Sequence, residues 1–141
     1  MKIGVLIAGM AGGLIMFLLG FLFFGFLFED ASRANMVENP ILQKNPPLVW
    51  AILLFNLAWG WLIAWVVDKT HGGWAEGAKT GAIVMFVLAA GIDLEFHAFV
   101  NVRDALDPLL VHILIVTFMG IAAGAVVGFL LGFFNKKAIA V

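Results

Sequence analysis

The chain has 141 residues, 64% of them hydrophobic and 12% charged, with a mean hydropathy of +1.10 and a formal net charge of −1. A soluble domain is about half apolar and about a quarter charged, so this composition excludes an ordinary water-soluble fold and points to lipid as the solvent. The absence of cysteine excludes disulfides, thiolate metal sites and cysteine nucleophiles, and the near-neutral balance gives no sign of a nucleic-acid partner.

Four apolar stretches, at about 3–28, 48–67, 75–100 and 109–134, each approach the roughly 20 residues needed to cross a bilayer. They predict an all-α, integral membrane protein: one domain over 1–141, built as a four-transmembrane-helix up-and-down bundle. The first stretch exceeds the roughly 7–15-residue apolar core of a signal peptide, and no small-residue cleavage site follows it. It is expected to stay in the protein as a tilted helix. Gly9 and Gly13 lie four residues apart on it. Beyond Glu29 and Asp30, the connection to Pro47 is the longest in the chain, and "EDASRANMVENP" within it is expected to form a short surface helix before Pro40.

"KNPPLVWA" sets Pro46 and Pro47 at the mouth of the second helix, where a missing N–H costs nothing. Trp50 and Trp65 fall near the two ends of that helix, as interfacial residues do. Trp59 and Trp61 lie nearer its middle and need another reason. Asn56 sits close to the midplane, where its amide is expected to find a partner across a helix interface. "DKTHGGWAEG" is a tight turn broken at Gly72 and Gly73. The third helix carries Gly77 and Gly81 at the four-residue spacing. "LDPLLVH" offers Asp107 as N-cap and Pro108 as first residue of the fourth helix. That helix then carries Gly120, Gly124, Gly128 and Gly132 down one face, a glycine-zipper pattern flanked by Ala123 and Val127. Membrane helices associate by close backbone approach, so the strip is expected either to pack the monomer or to join copies in a homo-oligomer.

An even number of spans puts both termini on one side, together with Lys2, Lys69, Lys79, Lys136 and Lys137. Arg33, Lys44 and Arg103 fall on the other side. The excess places the N- and C-termini in the cytoplasm. Acids contribute little to topology, but most lie toward the outer side: Glu29, Asp30, Glu38, Asp93, Glu95, Asp104 and Asp107.

The segment "GIDLEFHAFVN" puts Asp93, Glu95 and His97 within an apolar span. A charged group near the bilayer centre costs at least about 2.5–3.5 kcal/mol. Asp93 must therefore stay protonated, pair, or face a wet cavity. On a helix Asp93 and His97 share a face, while Glu95 points nearly the other way, with Arg103 in reach. His112, about one turn into the fourth helix, is the expected companion. Asp93, His97 and His112 would then converge, with Glu29 and Asp30 arriving from the first helix. Imidazoles and carboxylates suit Zn, Mn or Fe; they also suit a proton relay, or simply a structural polar cluster whose imidazoles reach the headgroups. No cofactor is required, and two imidazoles on adjacent helices stand too close to sandwich a haem. Ser32 is the one serine, and no P-loop, dinucleotide fingerprint or HExxH is present. No catalytic residue is assigned.

"FNLAWGWLIAWVVDK", "AEGAKTGAIVMFVLAAGIDLEF" and "LDPLLVHILIVTFMGIAAGAVVGFLLG" carry Asn56 with Gly60, Glu76 and Gly77 with Gly81, a late Asp93, and the glycine ladder. Over about 50–132 the chain resembles a class of small uncharacterised four-span bacterial inner-membrane proteins. The resemblance implies an inner-membrane bundle and carries no activity with it. His97 is not part of that pattern, so any role for it belongs to this chain. The leading expectation is a non-enzymatic, multi-pass protein of the bacterial inner (plasma) membrane. It would be tightly packed on the cytoplasmic side, carry an outward-facing acidic and histidine pocket, and act as a homo-oligomer or accessory subunit of a larger membrane complex. The alternative is a small proton- or cation-coupled transporter or channel using Asp93, His97 and His112. Against it, the inner halves of the helices offer only glycine, alanine and bulky apolar groups. A third reading is a membrane enzyme binding a divalent metal or cofactor at the same residues.

Overall fold

A computed structural model describes residues 2–28, 44, 46–70, 73–99 and 106–139. Four α-helices make up the described fold: α1 (Ile3–Leu22), α2 (Val49–Val67), α3 (Trp74–Phe99) and α4 (Leu106–Ile139). There is no strand among the described residues, and all four helices are long and apolar enough to cross a membrane. The expected surface helix before Pro40 lies outside the described residues.

Two helix boundaries differ from those expected. The first helix is not uniform: α1 passes into a π-helical turn, Phe23–Leu27, where the Phe28 N–H donates to the Phe23 carbonyl five residues back at 2.7 Å. The fourth helix begins at Leu106, so Asp107 is already inside it and is not its N-cap. Pro108 is then the third helical residue, still in the first turn, where four N–H groups lack a helical partner in any case. At its other end α4 runs on past 134 through Lys136 and Lys137. At 1.5 Å per residue its 34 residues span roughly 51 Å, more than the ~30 Å hydrocarbon core.

The α1–α2 and α3–α4 pairs are antiparallel and meet at glycines. A Cβ on Gly60 of α2 would strike the Gly9 carbonyl and the Gly13 backbone of α1, and one on Gly13 would lie 2.6 Å from the Leu57 Cα. Trp61 passes over Gly9, and its Nε1 donates to the Leu6 carbonyl at 3.2 Å. This tie between helices explains a tryptophan away from the membrane interface. Trp59 packs edge-on to Phe55, and its buried Nε1 has no hydrogen-bond partner. Asn56, though buried, does not bond across the interface through its amide N–H. Its Nδ2 donates to the Ile52 carbonyl of its own helix at 2.8 Å. Gly13 of the facing helix lies against the Asn56 carbonyl and the Leu57 backbone, and the amide turns back along α2.

The α3–α4 pair is built the same way. Gly77 lies against Gly124 and Gly128, and Gly81 against Gly120 and Gly124. The hydrogens that stand where Cβ atoms would be point at backbone carbonyls of the opposite helix, the geometry of weak Cα–H···O contacts. The turn before α3 closes this seam. Gly73 takes φ +103°, a conformation glycine adopts freely, and its N–H donates to the Gly128 carbonyl at 3.1 Å. Gly132 is only in ordinary contact, with Gly73 at 3.6 Å. The glycine face of α4 is therefore occupied by α3 of the same chain.

The two hairpins join along α1 and α4. Gly12 receives Val127, Gly20 faces Met119, and Gly4 faces Phe134. Between them lies a core of Met16, Ile63, Val67, Val127 and Leu131. Among neighbouring helices, α2 and α3 pack least. The start of α1, the end of α2, the Gly73 turn and the end of α4 gather at one end, where Lys2 pairs with Asp68 at 3.3 Å. Large apolar side chains such as Leu18, Phe26, Val87, Leu114 and Phe129 face outward, the arrangement a lipid environment accepts and water does not.

Candidate functional site

The buried face of α3 is a single row at four-residue steps: Gly77, Gly81, Met85, Ala89 and Asp93. Side chains four apart stand one above the other on a helix, so the row that meets α4 through glycine meets it again through Asp93. Gly77 lies against Gly128, Gly81 against Gly124 and Met85 against Gly120. One step further, Ala89 packs in a small apolar cluster with Leu109, Ile113 and Val116. A further step brings Asp93 to His112, whose Nδ1 lies 2.5 Å from Asp93 Oδ2. The pair is thus the last rung of the glycine seam, reached by the same periodicity on both helices. Paired side chains grow along the seam, from glycine on glycine, through methionine on glycine, to aspartate on histidine.

The two partners are unequally placed. The Asp93 side chain is 7% exposed and that of His112 is 30% exposed. The carboxylate is the interior member and the imidazole leads outward. A paired carboxylate and imidazole cost an apolar bundle far less than a lone charge. Where Nδ1 carries the proton the imidazole donates and the carboxylate accepts; where Asp93 carries it the carboxyl donates to a bare Nδ1. From α1 comes Phe24, in the π-helical turn, with its ring centroid 5.4 Å from that of His112. Its neighbour Phe23 packs edge-on to Phe118 of α4 at 5.9 Å.

Of the residues expected at this site, Asp93 and His112 are brought together. His97 and Glu95 are both exposed at the end of α3. Among the described residues no three His, Asp or Glu side chains gather closely enough to hold a metal ion. The set Asp93, His97 and His112 therefore does not form a metal centre there. Glu29, Asp30 and Arg103 lie outside the described residues, and with them the expected Glu95–Arg103 pair. Phe24 was not anticipated. No sequence signal marks it beyond the glycine inside "FFGFLF", where a Cβ on Gly25 would meet nothing nearer than the Phe21 ring at 3.6 Å.

These features define an all-helical protein with four apolar helices of membrane-crossing length, two backbone-to-backbone glycine interfaces, and at one end a buried aspartate paired with a half-buried histidine. No protein-family model, curated protein or solved structure was found to match this chain, so the site is read from its own geometry.

Proposed function

We propose that this chain is a non-enzymatic, four-span integral membrane protein without a transport path of its own, working as an oligomer or as an accessory subunit of a larger membrane complex. The observation that carries this reading is the closure of the α3–α4 seam from Gly73 to Gly120, where backbones touch and leave no space for a polar route between these two helices. Asn56 and Asp93 are the buried polar residues named among those described; Asn56 donates into its own helix and Asp93 is held by His112. The Asp93–His112 pair is a protonatable site at the end away from the termini. By its lysine balance the protein would sit with both termini in the cytoplasm, in the bacterial inner membrane that the sequence resemblance implies. Gentle extraction followed by mass measurement tests the association. The expected particle is heavier than the 15.2 kDa chain after detergent and lipid are subtracted. A monomer at every concentration, with no companion subunit, would contradict the reading.

A second reading, a small proton- or cation-coupled carrier, is favoured by one feature. A carboxylate–imidazole pair inside an apolar bundle is the kind of group that relays protons in membrane proteins. On that reading the helices must part at the glycine seam to complete a path.

A further inference from the structure

We propose that the Asp93–His112 pair is a proton-operated latch that holds the π-helical end of α1 against α4. The inference deepens, and rests on, the reading of this pair as a protonatable site in a membrane bundle.

The π-turn has little support of its own. π-Helical turns are rare and appear mostly as single turns, often at functional sites. Phe23–Leu27 contains no buried residue. A Cβ on Gly25 would meet nothing nearer than the Phe21 ring at 3.6 Å, so close packing does not explain why glycine stands there. A mid-helix glycine costs about 0.5–1 kcal/mol relative to alanine, and it eases changes of backbone conformation. Two aromatic contacts seat the turn on α4: Phe23 on Phe118 and Phe24 on His112. One of the two is made to a titratable ring.

Protonation acts on that ring from both sides at once. An imidazolium is drawn to the Asp93 carboxylate and more strongly than neutral imidazole to the π-electrons of a nearby ring; the Phe24 and His112 ring centroids lie 5.4 Å apart with their planes tilted by 41°. When His112 loses its proton, both attractions weaken. When Asp93 gains one, the attraction between the partners weakens as well. The latch therefore holds best where His112 is protonated and Asp93 is not, and eases as pH moves away on either side.

Few other groups can produce this response. Positions 3–28 of the first span and 49–67 of α2 hold no titratable side chain, and within 109–135 of α4 His112 stands alone. On α3, Glu95 and His97 share the end with Asp93 but are exposed, and Glu76 and Lys79 pair with each other at the opposite end of that helix. Glu29 and Asp30 follow the π-turn in the sequence, and Arg103, Asp104 and Asp107 follow α3.

The test is amide hydrogen exchange of the full chain in lipid nanodiscs between pH 4 and 9, corrected for intrinsic exchange, reading peptides that cover 20–28. Protection there should rise and fall with pH by roughly 5–150-fold, the usual range of coupling between sites. In His112→Gln the dependence should flatten while peptides across Gly77–Met85 keep their protection. In Glu95→Gln and His97→Gln it should persist. Should His112→Gln fail to fold, Phe24→Leu serves in its place, since it keeps the pair and removes the ring contact; the dependence should again flatten. A pH-independent segment in the wild type, or a dependence surviving in whichever variant folds, overturns the latch. His112 side-chain NMR in the same sample separates the two claims. A His112 that titrates while residues 20–28 do not respond defeats the latch and leaves the protonatable site standing; a His112 that never titrates defeats both.

Discussion

Asp93 sits in a face otherwise made of glycine, methionine and alanine, and it tolerates that position because His112 meets it at the same level of the seam. Polar contacts between membrane helices contribute about 1–2 kcal/mol in model peptides and less in whole proteins. A double-mutant cycle with Asp93→Asn and His112→Gln should therefore return a coupling of about 1 kcal/mol in reversible unfolding from mixed micelles. Zero coupling would mean that the two side chains do not depend on each other. Asn56 should behave differently. Its amide N–H serves its own helix, so Asn56→Gln should disturb assembly of the bundle through volume rather than through a lost interhelical bond. The pairing of Asp93 with His112 was legible in the sequence, because Asp93 stands toward the end of the third helix and His112 toward the start of the fourth, in antiparallel neighbours. His97 misled for the same reason. It shares the helical face of Asp93, but the row that packs on α4 ends at Asp93, and four residues later the chain is exposed.

At the scale of helices, the glycines separate into those that are required and those that are not. A methyl group on Gly124 would collide with the Gly77 carbonyl and stand 3.0 Å from the Gly81 Cα. Gly124→Ala should destabilise the protein by about 1–3 kcal/mol, as overpacking does, even though alanine is the better helix former. Gly132→Ala meets nothing closer than 3.6 Å and should change stability by less than about 0.5 kcal/mol. Gly91, with nothing within 4 Å of a Cβ, should accept alanine with a gain of up to about 1 kcal/mol. Thermal unfolding of the three variants in one detergent checks the order; equal effects would refute the seam. Because the seam aligns Asp93 with His112, Gly124→Ala should also reduce the coupling measured in the double-mutant cycle. The four-residue spacing announced a close contact in the sequence, but not its partner. The structure supplies α3, through the matching row that starts at Gly77. The π-helical turn was not legible, since phenylalanine and leucine suit either helical form and the contacts that seat the turn come from α4.

For the whole molecule, four helices of membrane-crossing length and an apolar exterior were legible from composition and run length alone, because lipid demands both. The side on which the termini lie rests on a lysine balance and invites direct labelling: Lys2 and Lys69, at the end shared by the termini, should be protected from an impermeant amine reagent in intact cells and modified in inverted vesicles. The central claim is that the closed α3–α4 seam denies this chain a path of its own. Proton flux into proteoliposomes carrying the purified chain, driven by a potassium diffusion potential and read by an internal pH dye, tests it most directly. The account predicts flux equal to that of protein-free liposomes, for the wild type and for Asp93→Asn alike. Flux well above that baseline, abolished by Asp93→Asn, would contradict it and establish the carrier instead.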